Sequence, residues 1–308
     1  MTLHQLRTFL AVAETGSVRA AAAELVVTQA AVSASLAALQ KSLGVALVEP
    51  DGRGLRLTSA GIAYTGYARR VIGLLDEGGR AAAAAADPER GELRIAAVTT
   101  AAEQIVPGIL GSFRRAHPQT GVRLEAGNRD RVRALLDRYQ VDLVVCGRPE
   151  PGWEVEVHGV RPHDLVVVAA PELAGTAPPA AGLLPWLAQQ TWLLREPGSG
   201  TRASTDALLA GLDLAARTLM VGSNVAIRES AQAGLGVTLL SQDAVSAELA
   251  AGKLAVIGAP GTPLHRDWYL VAQPGPLALA ASRLVGHARA GGGFHQPGRP
   301  RPRPGRGN

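Results

Sequence analysis

At 308 residues, 47% hydrophobic and 19% charged, the chain can build two or more domains with sizeable cores. Its single cysteine, Cys146, excludes an intrachain disulfide and a cysteine-rich metal site. The net charge of +5 does not by itself mark a nucleic-acid binder, because Arg299, Arg301, Arg303 and Arg306 supply four of those charges and the remainder is nearly neutral.

Residues 2–58 read as three short helices and a hairpin. Thr2 followed by Gln5 is a capping-box pattern, and Leu6, Phe9, Leu10 and Ala13 share one helical face. Gly16 ends that helix and Ser17 caps the next, which is rich in alanine and closes at Leu25. Val26 and Val27 form a turn. Thr28 caps a third helix with Val32, Leu36, Leu39 and Leu43 facing inward, and Gly44 stops it. Val45–Val48 and Leu55–Leu57 are expected strands around Asp51-Gly52-Arg53-Gly54. Two helices joined by a tight turn and followed by a hairpin describe a winged helix-turn-helix, residues 1–58.

Residues 59–88 read as one linker helix. Its stripe of Ile62, Tyr67, Val71, Leu74 and Leu75 cannot be buried by a lone helix, so a second copy of the chain is expected against it. Gly78-Gly79 mark its end or a hinge. From Leu93 strands alternate with helices. Strands at Leu93–Val98, Val122–Ala126 and Leu143–Cys146 flank helices at Ile105–Arg115 and Arg129–Tyr139, which implies a parallel sheet. A second set has strands at Leu165–Ala170, Thr191–Arg195, Thr218–Val221 and Val237–Leu240, with helices at Thr201–Leu212 and Val225–Ala233. Two α/β lobes over residues 89–290 suit a small ligand in a cleft. Residues 291–308, rich in Gly, Pro and Arg, are expected to be disordered.

Within the second half, Pro197-Gly198-Ser199-Gly200-Thr201 lies between a strand and a helix start. Glycines there let backbone N–H groups turn toward a ligand, and the helix dipole favours an anion; the same turn also serves as a plain helix cap. Thr99 and Thr100 follow the first strand and Asn128 the second, at the carboxyl ends where α/β clefts bind ligands. The candidate effector contacts are therefore Thr99, Thr100, Asn128, Ser199, Gly200 and Thr201. Cys146 ends a core strand with no base nearby and reads as a structural thiol. The histidines have no metal-binding spacing, and no metal or cofactor is expected.

The stretches "FLAVAETGS", "TQAAVSASLAALQKSLGVAL" and "GRGLRLTSAG" resemble the DNA-binding domain of the LysR-type regulators. "AGNRDRVRALLDRYQVDLVVCGRPEPG", "LREPGSGTR" and "GSNVAIRESAQAGLGVTLLS" resemble the branch of that family that includes regulators of carbon fixation. The resemblance covers nearly the whole chain except its tail. It implies an α/β protein with a winged helix-turn-helix, a dimerising linker helix and a two-lobed effector domain of periplasmic-binding-protein type. It also implies a homodimer or a dimer of dimers on promoter DNA, with contact to RNA polymerase. Thr28, Gln29, Ala30 and Ser33 then face DNA from the recognition helix, and Arg53 does so from the wing. Gln29 can pair bidentately with adenine, while Thr28 serves equally as a helix cap. The chain departs from the family pattern at Ala30, where proline is usual, at Ala34, where arginine is common, and at Val48-Glu49-Pro50, where Phe-x-Arg is familiar.

Two other classes fit less well. A solute-binding protein for transport would share the two lobes, but residues 1–10 carry His4, Gln5 and Arg7 in place of an export signal's layout. No apolar run reaches a membrane span either, so a cytoplasmic location without membrane contact is expected. An enzyme is not expected, because no Ser-His-acid set, metal cluster or phosphate-loop lysine is present in the sequence. The function expected is a DNA-binding transcription regulator switched by a small anionic metabolite.

Overall fold

The computed structural model describes residues 1–52, 54–86 and 91–298. These fall into two compact units. The first takes the N-terminal helices and hairpin together with Leu135–Val141, and the second takes the other residues from Gly91 onward.

In the first unit, α1 (Leu3–Thr15) begins with the reciprocal cap: Thr2 N–H donates to Gln5 Oε1 at 2.8 Å and Gln5 N–H to Thr2 Oγ1 at 3.3 Å. Ser17 caps α2 (Val18–Leu25) through Ala20 N–H, and Thr28 caps α3 (Gln29–Leu43) through Ala31 N–H at 3.2 Å. The two helices are bent by 106° across the turn, within the range of a helix-turn-helix. Phe9, Val12, Ala21, Val32, Leu36 and Leu39 close the core between the three helices. Val26 makes the turn in the left-handed region at φ 55°, a conformation that strains a β-branched residue.

The hairpin pairs β1 (Val48–Asp51) with β2 (Gly54–Leu57) in antiparallel register. The first strand begins at Val48, where the expected strand ended. The Gln40 side chain accepts from Leu47 N–H at 2.7 Å and from Val48 N–H at 3.3 Å, so the preceding segment is held to α3 instead. Next comes α4 (Ser59–Ala86), whose Gly61 lies so close to the Leu47 carbonyl that a Cβ would collide with it. The helix runs unbroken through Gly78-Gly79, so these glycines neither end nor hinge it; they sit in open space and lower its propensity only. Ile62, Tyr67, Val71, Leu74 and Leu75 are all exposed along it.

The second unit opens with β3 (Glu92–Val98), α5 (Thr99–Gln104), α6 (Val106–Ala116), β4 (Gly121–Gly127), α7 (Arg129–Asp137) and β5 (Leu143–Cys146). Strands β4, β3 and β5 are parallel, in that order, as the alternation implied. There follow β6 (Glu156–Ala169), α8 (Pro171–Ala174), α9 (Ala180–Gln189), β7 (Thr191–Leu194), α10 (Gly200–Gly211), β8 (Arg217–Met220), α11 (Asn224–Gln232), β9 (Thr238–Ser241), α12 (Gln242–Ala250), β10 (Ala255–Ile257), β11 (Leu264–Ala272) and α13 (Leu279–Gly291).

Two long antiparallel strands join the lobes. β6 and β11 pair from Leu264↔Leu165 to Ala272↔Glu156. The end of β11 also pairs with β5, in the first lobe, while the end of β6 pairs with β9 and β10, in the second. β6 is longer than the apolar run that announced it, because His158, Arg161 and His163 interrupt its first half. β11 was not anticipated, since Arg266-Asp267 sit in its middle. The first lobe packs Leu93, Ile95, Phe113, Leu143 and Leu284, and the second packs Leu187, Trp192, Leu194 and Leu239.

The expected disorder from residue 291 does not hold for 292–298. Phe294 is buried over Gly159, and His295 and Val160 exchange backbone hydrogen bonds at 2.7 and 2.9 Å. An aromatic side chain with a core position to fill outweighs the Gly-rich composition there. Residues 299–308, with the arginine run, lie outside the described residues.

Candidate nucleic-acid interface and ligand cleft

The capping of α3 decides which of its side chains remain available. Thr28 Oγ1 accepts from the helix backbone, so its hydroxyl has an internal role whatever else it meets. Gln29, Ala30 and Ser33 are exposed on the face opposite Val32, Leu36 and Leu39. Among the described residues, neither Gln29 nor Ser33 has a side-chain hydrogen-bond partner within the chain, which leaves their donors and acceptors outward. Arg53, expected at the wing tip, lies outside the described residues.

The second unit holds a cleft, open at its mouth, where the two lobes meet the crossing strands. Five of the six expected effector residues line it: Thr99, Asn128, Ser199, Gly200 and Thr201. Thr99 Oγ1 donates to the Gly127 carbonyl at 3.2 Å, and Asn128 Oδ1 accepts from Arg131 N–H at 2.9 Å to cap α7. Gly198, at φ 86°, lets the loop turn into α10, and a Cβ there would lie 3.2 Å from Asn128 Nδ2. Ser199 stands at the N-cap position of α10 but makes no side-chain cap bond, so its hydroxyl is free to face the cleft. Thr100 is the sixth. It lies off the cleft, with Oγ1 accepting from Asn224 Nδ2 at 3.2 Å, because the chain enters α5 directly after β3 and turns consecutive side chains apart.

The charges of the cleft were not among the expected contacts. Arg195, 3% exposed, forks onto Glu196 with Nε to Oε2 and Nη2 to Oε1 both at 2.8 Å. Its Nη1 donates to Asn224 Oδ1. The Arg195 guanidinium in turn holds the Glu196 carboxyl below its ordinary value. Arg129 donates to Glu150 Oε1 at 2.8 Å. Arg266 Nη1 donates to Ser204 Oγ at 2.8 Å, and no carboxylate lies within ion-pair distance of it among the described residues. Burial, and then the nearby Arg129, push the Arg266 guanidinium below its ordinary value. The cleft thus carries a cation with no counter-ion among the described residues, beside the N-terminus of a 12-residue helix.

Against it stands a neutral aromatic wall. His163 stacks on Trp268 with ring centroids 4.1 Å apart, and its Nδ1 lies 3.3 Å from Ser241 Oγ. Burial and Arg266 hold His163 at about 4, so it is uncharged at neutral pH. Trp268 Nε1 is buried without a partner. Sequence alone carried one signal for this arrangement, namely an arginine, Arg195, ending an otherwise apolar strand. Arg266, His163 and Trp268 had none, since they lie on strand segments whose polar residues hid them. Among the described residues there is no group of three metal-binding side chains, and Cys146 is buried with its thiol pushed up to about 12.

Comparison with known proteins gives matches over both units. Residues 3–62 match the family model for the bacterial regulatory helix-turn-helix protein, lysR family, and residues 86–292 that for the LysR substrate binding domain. The chain is 36% identical over 272 residues to a RuBisCO operon transcriptional regulator of Acidithiobacillus ferrooxidans, covering 88% of this chain and 87% of the relative. Its fold is similar to that of full-length CbnR complexed with target DNA, with a TM-score of 0.63 at 24% identity over 94% of this chain and 99% of that one. It is also similar to the CcmR regulatory domain of Synechocystis PCC6803 in complex with 2-PG, with a TM-score of 0.58 at 28% identity over 65% of this chain and 96% of that one.

Proposed function

We propose, from the premise that this chain belongs to the LysR family of bacterial transcription regulators, that it is switched by a small anionic metabolite held in the cleft of its second unit. The family makes it a DNA-binding regulator with an effector-binding domain, in the branch of the carbon-fixation regulators. The anionic reading rests on Arg266. A partly buried guanidinium without a carboxylate is an uncompensated charge, and an anion arriving beside it is stabilised both by that charge and by the start of α10. The hydroxyls of Ser199 and Thr201 and the amide of Asn128 complete a polar ring around the same space. CcmR, whose regulatory domain is known in complex with 2-PG, supports the choice of that anion as a probe.

On the DNA side, Gln29, Ala30 and Ser33 meet base edges in the major groove, Thr28 closes the helix start against the backbone, and Arg53 reaches phosphate or the minor groove. The exposed stripe of α4 is covered by the same stripe of a second copy, giving a homodimer or a dimer of dimers. Ligand binding changes the packing of the lobes, and through it the spacing of the DNA-binding units and contact with RNA polymerase.

A thermal-melt titration of the full-length protein with 2-PG tests the ligand reading. Saturation at 100 times the dissociation constant is expected to stabilise the second unit by about 2.7 kcal/mol. A melting curve unmoved by 2-PG, inorganic phosphate and a set of central carboxylic acids overturns it.

A further inference from the structure

Asn224, the first residue of α11, uses both of its amide protons on α5. Nδ2 donates to Thr100 Oγ1 at 3.2 Å and to Glu103 Oε2 at 2.8 Å, while Oδ1 accepts from Arg195 Nη1. Helix α5 packs on β3 and β4 of the first lobe, and α11 packs on β7 of the second. The amide therefore joins the two lobes and, in the same group, holds a guanidinium that lines the cleft. Asn224 itself is buried and does not line the cleft, and neither does Glu103. A buried amide satisfied on every side is strongly specified, because losing one partner leaves the others without compensation from water.

Resting on the reading that the cleft takes an anion, we infer that Asn224 is an inter-lobe tie that couples the position of Arg195 to lobe closure. The chain Arg195–Asn224–Glu103 favours the arrangement in which Arg195 and the α10 N-terminus face the first lobe across the cleft. The apparent affinity for an anion is its intrinsic affinity multiplied by the population of that arrangement. Weakening the tie from the far side then lowers affinity, although no group touching the ligand has changed. Asn224 and Glu103 act as positioning residues, through Arg195.

The sign of one substitution separates this from simple electrostatics. Glu103 is a carboxylate near an anion site, so Coulomb's law alone has Glu103→Ala bind anions more tightly. The tie requires the opposite. Calorimetric titration of the full-length protein with 2-PG is expected to give a dissociation constant about 3- to 10-fold higher for Glu103→Ala than for wild type. Glu103→Gln keeps an acceptor oxygen for Asn224 Nδ2 and is expected to bind as tightly as wild type or more tightly. Glu103 is exposed, so both variants should fold, and ligand-free melting curves check this. If wild type takes inorganic phosphate but not 2-PG, the same comparison is made with phosphate.

Glu103→Ala binding as tightly as wild type, or more so, overturns the tie. Equal weakening in Glu103→Ala and Glu103→Gln also overturns it, because the charge rather than the acceptor would then matter. A wild-type protein that binds neither 2-PG nor phosphate overturns the anion reading, and the tie with it.

Discussion

Arg266 donates to the Ser204 hydroxyl at 2.8 Å, and the Ser204 hydroxyl in turn donates to the Gly200 carbonyl at 2.9 Å. The cation of a crossing strand is thereby fastened to the first turn of α10, the element whose N-terminus opens on the cleft. Positive charge from a side chain and positive dipole from a helix are brought to one place by a shared hydroxyl. That arrangement costs stability in the empty protein and is stabilised when an anion arrives.

Arg266→Met follows from this relationship. The thioether side chain fills much of the same volume without charge. Loss of a charged hydrogen-bonding partner is expected to weaken 2-PG binding by about 1.5–3 kcal/mol. The ligand-free variant should melt no lower than wild type, since the partly buried cation has no counter-ion among the described residues. Unchanged calorimetric affinity in the folded variant would place the anion elsewhere.

Gln29→Ala addresses the other unit. Gln29 is exposed with no internal side-chain partner, so its removal leaves the core untouched. Affinity for the specific operator is expected to fall by about 1–3 kcal/mol per half-site contact, with binding to random DNA and its salt dependence nearly unchanged. Fluorescence anisotropy on the two DNAs measures both. Equal losses on both would assign Gln29 a role in folding rather than base reading.

Val26 lies at φ 55° and ψ 46° and is 89% exposed, so it accepts backbone strain with little packing in return. Asparagine tolerates the left-handed region far better than a β-branched residue. Val26→Asn is expected to stabilise the N-terminal unit by about 1 kcal/mol in urea unfolding. A destabilised variant would mean that the valine's own contacts outweigh the backbone strain.

His163 predicts a pH effect. Burial and Arg266 depress its folded value to about 4 from the ordinary 6.5. The unfolded chain then binds a proton that the folded chain refuses, so stability is lost as pH falls from about 6.5 toward 4. His163→Gln keeps a polar partner for Ser241 and removes the titration. The stability difference between wild type and variant, followed by urea unfolding from pH 7.5 to 5, should shift against wild type on acidification. A difference constant with pH would show His163 to be ordinarily protonated in the folded state.

Local signals carried far in this chain. Helix caps at Thr2, Ser17 and Thr28, stops at Gly16 and Gly44, and the apolar spacing of Val32, Leu36 and Leu39 depend on neighbours within a few residues, so the helix-turn-helix and the exposed face of Gln29 and Ser33 could be read directly. The alternation of apolar strands and helices likewise implied that these strands run parallel, while their order β4, β3, β5 came from the structure, and the Gly-Ser-Gly-Thr turn lies at the cleft edge. Tertiary structure alone decided the charge of that cleft. Arg266, His163 and Trp268 lie on strands whose polar residues erase the period that announces a strand, although His163 and Trp268 are themselves buried. Thr100, also expected in the cleft, is not among the residues that line it, since whether a residue after a strand faces a cleft or a neighbouring helix depends on where that helix starts. Asn224 meets Arg195 and Glu103 only because two lobes, far apart in sequence, close around the same pair of crossing strands.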